Sequence, residues 1–453
     1  MLDNHMFQDW IKSIQLQDGL LCPEGPHNCL QSRPIKRVRY ESGDDAASTN
    51  ATEHRYDPAL FAAALHTPSG THSMQNARTP SPTRPSIKKS ADLELLEKPV
   101  FRQELPPENP TTVLPADVQP LYSVIENTTT HKEEIIPNEV RDQVSHLIGA
   151  NTARPRFFRT LESPGGASAA EATLARLRNI IDRAKASIEQ GRHETAWNHL
   201  VHTPMLDLAF GEDGSQVTVE PAMNVTIAKS SVPRLRRRVG AGGDTLSLLA
   251  WSVQNSNAGQ SEDSEGRQQG TSDRRMVDYV LVADVSDPKL KTMIRNTVLD
   301  MGVSGHGTHF NQTEYLPLRY NPVAVTIETK VQSSVRDPLL QLGIWVAAWH
   351  ERMSQVRAFR SQAVKLSAED EERKQLLGDR LVSVPLIVVT SHEWEVYFAC
   401  DNQASIGMYG PISLGSTKNL LSAYVLLASL EAIGNWVRTT FCDGMRTWIL
   451  CDE

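Results

Sequence analysis

The feature that most constrains this chain is an apolar run, Val323-Ala324-Val325-Thr326-Ile327, closed by Glu328-Thr329-Lys330. A short run rich in β-branched residues reads as a strand buried on both faces. Such a strand needs cover on each side, which points to a sheet with helices packed against it. In a strand, positions i and i+2 share a side, so Glu328 and Lys330 project together from the strand's end. A carboxylate and an ammonium held side by side at a sheet edge suit metal-assisted hydrolysis of a phosphate ester. A second Glu-x-Lys triplet, Glu372-Arg373-Lys374, lies in the charged stretch from Ala368 to Lys374 and reads as a solvated helix face.

Periodicity on either side of this run supplies the other elements. Val140, Val144, Leu147 and Ile148 make a helical stripe after Pro137. Ser168-Ala169-Ala170-Glu171 has the form of a capping box, followed by Leu174, Leu177, Ile181, Ala184 and Ile188 at helical spacing. A third helix starts near His193 with Glu194, Trp197 and Val201 on one face, and Thr203-Pro204 kinks or restarts it. Strands are expected at 216–227, 277–284, 323–330, 382–389 and 394–400. Further helices are expected at 290–301, 338–357 and 417–438. This pattern predicts an α/β fold, a central mixed sheet flanked by helices.

Residues 1–118 form a different region, expected to be a mostly disordered tail because Ser, Thr, Pro, Asn and charged residues dominate with no sustained period. Within it, Met6, Phe7, Trp10, Ile11 and Ile14 fall on one helical face, which predicts a short amphipathic helix near 5–15 that docks on the domain or binds a protein partner. Lys36-Arg37-Val38-Arg39 is a weak nuclear-import signal. The folded domain is expected over 119–453, with a Ser-, Gln- and Gly-rich flexible insertion at about 254–275.

Composition narrows the function classes. The chain has 453 residues, enough for a sizeable core, and its net charge of −8 argues against a wholly basic coating protein. That charge is compatible with phosphate binding, since only the field near the bound phosphate matters. The five cysteines are widely spread with no CxxC pair, which indicates a reducing compartment and no structural zinc. An intracellular protein, nuclear or cytoplasmic, is expected. The longest apolar run, Leu420 to Val437, carries Glu431 and Asn435 and reads as a buried helix, so no membrane is expected as a partner.

Asp278 sits inside the strand reading from Met276 to Val282, between apolar neighbours. Two neighbouring strands presenting Asp278, Glu328 and Lys330 can bind one or two Mg²⁺ ions, because magnesium takes hard oxygen ligands and keeps several waters. Pro233-Arg234-Leu235-Arg236-Arg237-Arg238 is the densest basic run of the domain, a weak nucleic-acid contact or a solvated loop. The two histidines of Gly305-His306-Gly307-Thr308-His309 lack a third fixed ligand and read as bystanders. His202 and His392 are polar groups expected at the site's rim. Neither a glycine-flanked serine elbow nor a phosphate-binding Gly-x-x-x-x-Gly-Lys loop is present.

Five patches in order resemble the PD-(D/E)XK nuclease superfamily, and within it a fungal branch of nuclease-like proteins. They are Glu194 to Pro204, Met276 to Tyr279, Tyr315 to Tyr320, Ile327 to Lys330, and Leu340 to Trp345. The resemblance spans about residues 135–450 and implies a restriction-endonuclease-like core. It implies that Asp278 and Glu328 are metal-binding acids, that Lys330 is the catalytic lysine, that Glu194 on the first core helix completes the metal shell, and that Gln341 is an accessory catalytic residue. The cofactor implied is Mg²⁺ or Mn²⁺. The sequence departs from the pattern where Val277 replaces a proline before Asp278 and where His199 stands in place of a second helical acid. Two functions are therefore expected: a metal-dependent nuclease acting on nucleic acid, DNA first, or a nuclease-fold module that has lost catalysis and binds nucleic acid or a protein.

Overall fold

The computed structural model describes residues 87, 89–149, 151–160, 165–211, 216–236, 277–332, 334, 337–363 and 380–449. Seven strands form one sheet: β1 (Val100–Gln103), β2 (Val217–Pro221), β3 (Tyr279–Ala283), β4 (Val323–Lys330), β5 (Val384–Thr390), β6 (Glu393–Asp401) and β7 (Ile406–Ser416). Their order across the sheet is β1-β7-β6-β5-β4-β3-β2. The sheet is mixed: β4–β5 and β1–β7 are parallel, and the other four pairs are antiparallel. Every residue of β4 is buried. A strand inside the sheet and covered on both faces has no polar side to show, which is why its sequence is an apolar run and not an alternation.

Helices flank this sheet: α1 (Gln119–Thr130), α2 (Arg141–Ile148), α3 (Gly166–Glu189), α4 (Glu194–Trp197), α5 (Thr203–Phe210), α6 (Pro288–Val303), α7 (Pro338–Ala363), α8 (Leu420–Trp436) and α9 (Cys442–Ile449). A π-turn, Asn198–His202, joins α4 to α5, and another, Val437–Phe441, joins α8 to α9. Parallel strands cannot be joined by a hairpin, and α7 is the crossover that carries β4 to β5. It packs on both strands, while α8 packs on β7, α1 and α5. The segment Leu420–Ile449 is long and apolar enough to cross a membrane by length and composition, with a mean hydropathy of 1.4. Ten of its residues from Ala423 to Trp436 are nevertheless buried in the core, as expected of a core helix.

Several expectations shift. The ordered domain begins before 119: Ile87, Leu93, Leu96, Val100, Leu114 and Val118 are all buried in the main core, and β1 pairs with β7. The few apolar residues there are too widely spaced to show a period, yet each fills a site made by distant elements. Ser168-Ala169-Ala170-Glu171 caps nothing, because α3 starts at Gly166 behind Gly165, whose φ of 86° makes the turn. Strand β7 carries no apolar run, being interrupted by Gly407, Gly410, Pro411 and Gly415. The amphipathic segment at 5–15, the basic cluster at 36–39 and the insertion at 254–275 lie outside the described residues.

Candidate active site

Strand β4 ends at Lys330, and β3 runs antiparallel beside it with Tyr279 opposite Ile327. Continuing that register by one residue sets Asp278 beside Glu328. The backbone agrees: Asp278 N donates to Ile327 O at 3.0 Å. Asp278, Glu328 and Lys330 are 8%, 1% and 6% exposed. Two acids and a lysine thus meet at the end of an otherwise apolar strand pair, where burying charge is costly unless each group is paired or bonded.

Helix α4 and its π-turn deliver the next residues. Glu194, Asn198 and His202 are spaced by four and so share a face. The π-turn has a local cause, for Pro204 follows at the start of α5. Proline lacks an N–H and its ring presses on the carbonyl four residues back, so the wider turn ahead of it relieves what a regular helix would not accommodate. Ring contacts fix the turn in place. Trp197 stacks on His202 with centroids 5.7 Å apart, and Trp394 meets the same imidazole edge-on at 5.7 Å.

The polar contacts are dense. The Lys330 ammonium bonds Glu328 Oε1, donates to Thr329 O at 2.7 Å and stands 3.5 Å from Glu194 Oε2. Asp278 Oδ2 accepts from Thr329 N at 2.8 Å and lies 2.9 Å from Thr329 Oγ1. Asp278 Oδ1 has a longer contact, 3.4 Å, with Asn198 Nδ2. Thr329 Oγ1 also lies 2.7 Å from Asn198 Oδ1. His202 reaches Asn198 Oδ1 through Nδ1 at 2.9 Å and Ser391 O through Nε2 at 3.0 Å.

Burial dominates the electrostatics. It pushes the Glu328 carboxyl up to about 8, helped by the charge of Asp278 and opposed by Lys330. Burial also raises Asp278, against the pull of the Thr329 amide and of Lys330. Desolvation alone would lower Lys330, but the Glu328 carboxylate outweighs it and the ammonium is held above its ordinary range. The cluster is therefore poised for another positive charge: its acids are crowded, and one lysine is shared among them. Burial pushes His202 down to about 4, so its ring is neutral at pH 7.

The donors present fit a hard divalent cation. Among the described residues Glu328 Oε2 is buried with no hydrogen-bond partner, and Asp278 Oδ1 carries only its long contact. Both are carboxylate oxygens, the ligand type that magnesium and manganese take. Among the described residues no group of three His, Cys, Asp or Glu side chains is arranged to hold a metal. Mg²⁺ does not need one, because one or two carboxylates with waters and phosphate oxygens complete its shell.

Of the residues singled out in the sequence, the structure gathers Asp278, Glu328, Lys330 and Glu194. Gln341 lies half-buried in the first turn of α7, the helix that leaves β4. Arg234 and Arg236 are exposed on either side of buried Leu235, which bridges Leu96; Arg237 and Arg238 lie outside the described residues. Arg234 lines a cavity of about 490 Å³ with Lys98, His350, Leu381 and Asp401. Leu381 precedes β5, whereas Lys330 pairs with Thr390 at its far end, so this basic run sits at the opposite end of the strands from the acids. His202, expected at the rim, is wholly buried behind the site, and His199 is exposed. His306 is exposed and His309 buried against Asn311 O at 2.6 Å. Asn198 and Thr329 were not singled out; the signal for Asn198 was its place midway between Glu194 and His202.

A family model described as the PD-(D/E)XK nuclease superfamily matches residues 144–442, well over half of the chain. Comparison with curated proteins and with solved structures gave no match.

Proposed function

Since this chain belongs to the PD-(D/E)XK nuclease superfamily, we propose that it hydrolyses phosphodiester bonds in nucleic acid, DNA first, with a divalent cation held by Asp278 and Glu328. The observation that carries this is the pairing of two buried carboxylates at one strand end, with the Lys330 ammonium against one of them and a buried Glu328 oxygen without a partner among the described residues. Bound there, Mg²⁺ or Mn²⁺ would lower the pKa of a coordinated water and neutralise charge on the phosphate.

The chain's own groups have separable tasks. Asp278 and Glu328 supply anionic oxygens. Glu194, whose side chain is 35% exposed, can swing to the same ion as a further ligand. Lys330 keeps its charge because its neighbours are acids, and it can orient a water or offset charge on the phosphoryl oxygens. Gln341 can offer its amide to a water or a phosphate oxygen from the start of α7. Arg234 and Arg236 can take backbone phosphates away from the scissile bond, which would add salt dependence.

The test is a magnesium titration of the full chain with end-labelled single- and double-stranded DNA, beside Glu328→Ala and Lys330→Ala. Cleavage should require the ion and fall by at least about 100-fold in each variant, the scale on which such electrostatic contacts act. A second reading, a binding module without catalysis, is favoured by the engagement of Lys330 with Glu328 and by the raised Glu328 pKa. It would be supported by DNA binding that survives both substitutions with no cleavage in any protein.

A further inference from the structure

Behind Asp278 lies a run of buried polar groups that the chemistry above leaves unused. Asn198, Thr329 and His202 are 2%, 0% and 0% exposed. Three buried polar side chains in one place are costly unless each is hydrogen-bonded, and here the bonds lead to one carboxylate. Oδ2 of Asp278 accepts from the Thr329 amide at 2.8 Å and lies 2.9 Å from the Thr329 hydroxyl, whose one proton is also within reach of Asn198 Oδ1. Oδ1 has one long bond, to the Asn198 amide nitrogen at 3.4 Å, and keeps lone pairs for a cation.

The direction of the Asn198 amide matters. With its oxygen toward Thr329 Oγ1 and His202 Nδ1, its NH₂ must face the carboxylate. Reversed, it would set a carbonyl oxygen against Asp278. The Thr329 hydroxyl, 2.7 Å from the amide oxygen, selects the first orientation by donating its proton there, and a proton on His202 Nδ1 selects the same one. The far ring nitrogen lies 3.0 Å from Ser391 O, in the turn after β5, an oxygen that only accepts, so the neutral ring donates either there or to Asn198; Trp197 and Trp394 pack it in place. The helix and the sheet are thereby joined through one ring.

We propose that Asn198, oriented by the Thr329 hydroxyl, is a positioning residue that presents Asp278 Oδ1 to the divalent cation. The inference rests on the nuclease reading for the cation itself. Groups that orient a ligand from behind change metal affinity by about 10- to 100-fold. Without them the Asp278 carboxylate is free to turn, and its ordering must be supplied when the ion binds.

Calorimetric titration of Mn²⁺ into the full chain, with no nucleic acid present, separates this from activity. Asp278→Asn should abolish binding. Asn198→Ala and Thr329→Val should each weaken it by about 10- to 100-fold, while Thr329→Ser, which keeps the hydroxyl, should stay within a few-fold of the parent chain. Equal affinity in the parent, Asn198→Ala and Thr329→Val would overturn the positioning role and leave the nuclease reading intact. No Mn²⁺ binding by the parent would overturn both. Should the variants not fold, nitrogen-15 spectra of the histidine-labelled parent decide, with His202 assigned by its loss in His202→Gln. A proton on Nδ1 sustains the arrangement; a proton on Nε2 alone overturns it, since a bare Nδ1 then accepts from the Asn198 NH₂ and turns the amide oxygen toward Asp278.

Discussion

Glu328 is the residue on which the site turns. Its carboxyl is 1% exposed and pushed up to about 8 by burial. On the proposed reading a cation would displace that proton, so its affinity should rise about tenfold per pH unit up to pH 8 and level off above it. Titration at pH 6, 7 and 8 measures this, and proton release appears as a dependence of the heat on the buffer. His350 makes a second prediction, on stability. It is 3% exposed, neither ring nitrogen has a hydrogen-bond partner among the described residues, and burial lowers its pKa from 6.5 to about 3. The unfolded chain takes up that proton first. The stability contributed by neutral His350 is therefore complete above pH 6.5 and is lost as pH falls toward 3, at roughly 1.4 kcal/mol per pH unit. His350→Leu should flatten that acid limb, measured as urea midpoints from pH 7 to pH 4. At this scale the triad Asp278, Glu328 and Lys330 was legible, because charged residues ending an apolar run stand out against it. Asn198 was not, since an Asn in a helix has no meaning until the strand it touches is known.

At the scale of elements, the π-turn and β7 carry most of what local pattern missed. The π-turn Asn198–His202 follows from a proline placed at the start of α5, and the sequence reading of a kink or restart at Thr203-Pro204 anticipated the irregularity but not its form. Strand β7 shows the opposite failure. Its glycines look like loop punctuation, yet Gly415 is there because the backbone has φ +119° and because a Cβ would meet Leu426 N of α8 at 2.7 Å. Gly415→Ala should cost about 1–3 kcal/mol or more through strain and displacement of α8, read as a shift in the urea midpoint at constant slope. By contrast β4 and α6 were placed to within two residues and α7 was started at its true first residue but ended six short, since each has its own apolar pattern and that pattern survives folding.

At the scale of the molecule, the sheet order decides the boundaries. Strand β1 covers the edge of β7, and Leu93, Leu96 and Val100 bury apolar surface from outside the family match. Each such side chain contributes on the order of 1.5–3 kcal/mol on burial, and an uncovered β7 would offer unpaired backbone groups to other chains. A chain beginning at Gln119 should therefore melt at lower temperature than one beginning at Ile87 and should aggregate, which thermal unfolding with light scattering will measure. The net charge of −8 leaves approach of a polyanion to local fields. The amino-acid sequence by itself determined the fold class, the central buried strand and the acid–lysine set at its end. It could do so because apolar period and strand alternation are local properties of the chain. Only the tertiary structure decided that β1 belongs to the sheet, that the Arg234 run lies at the far end from the acids, and that His202 stands behind Asp278 and not at its rim. Those facts depend on pairings between residues tens to hundreds of positions apart, such as His202 with Ser391 and Val100 with Ile406, which no local pattern records.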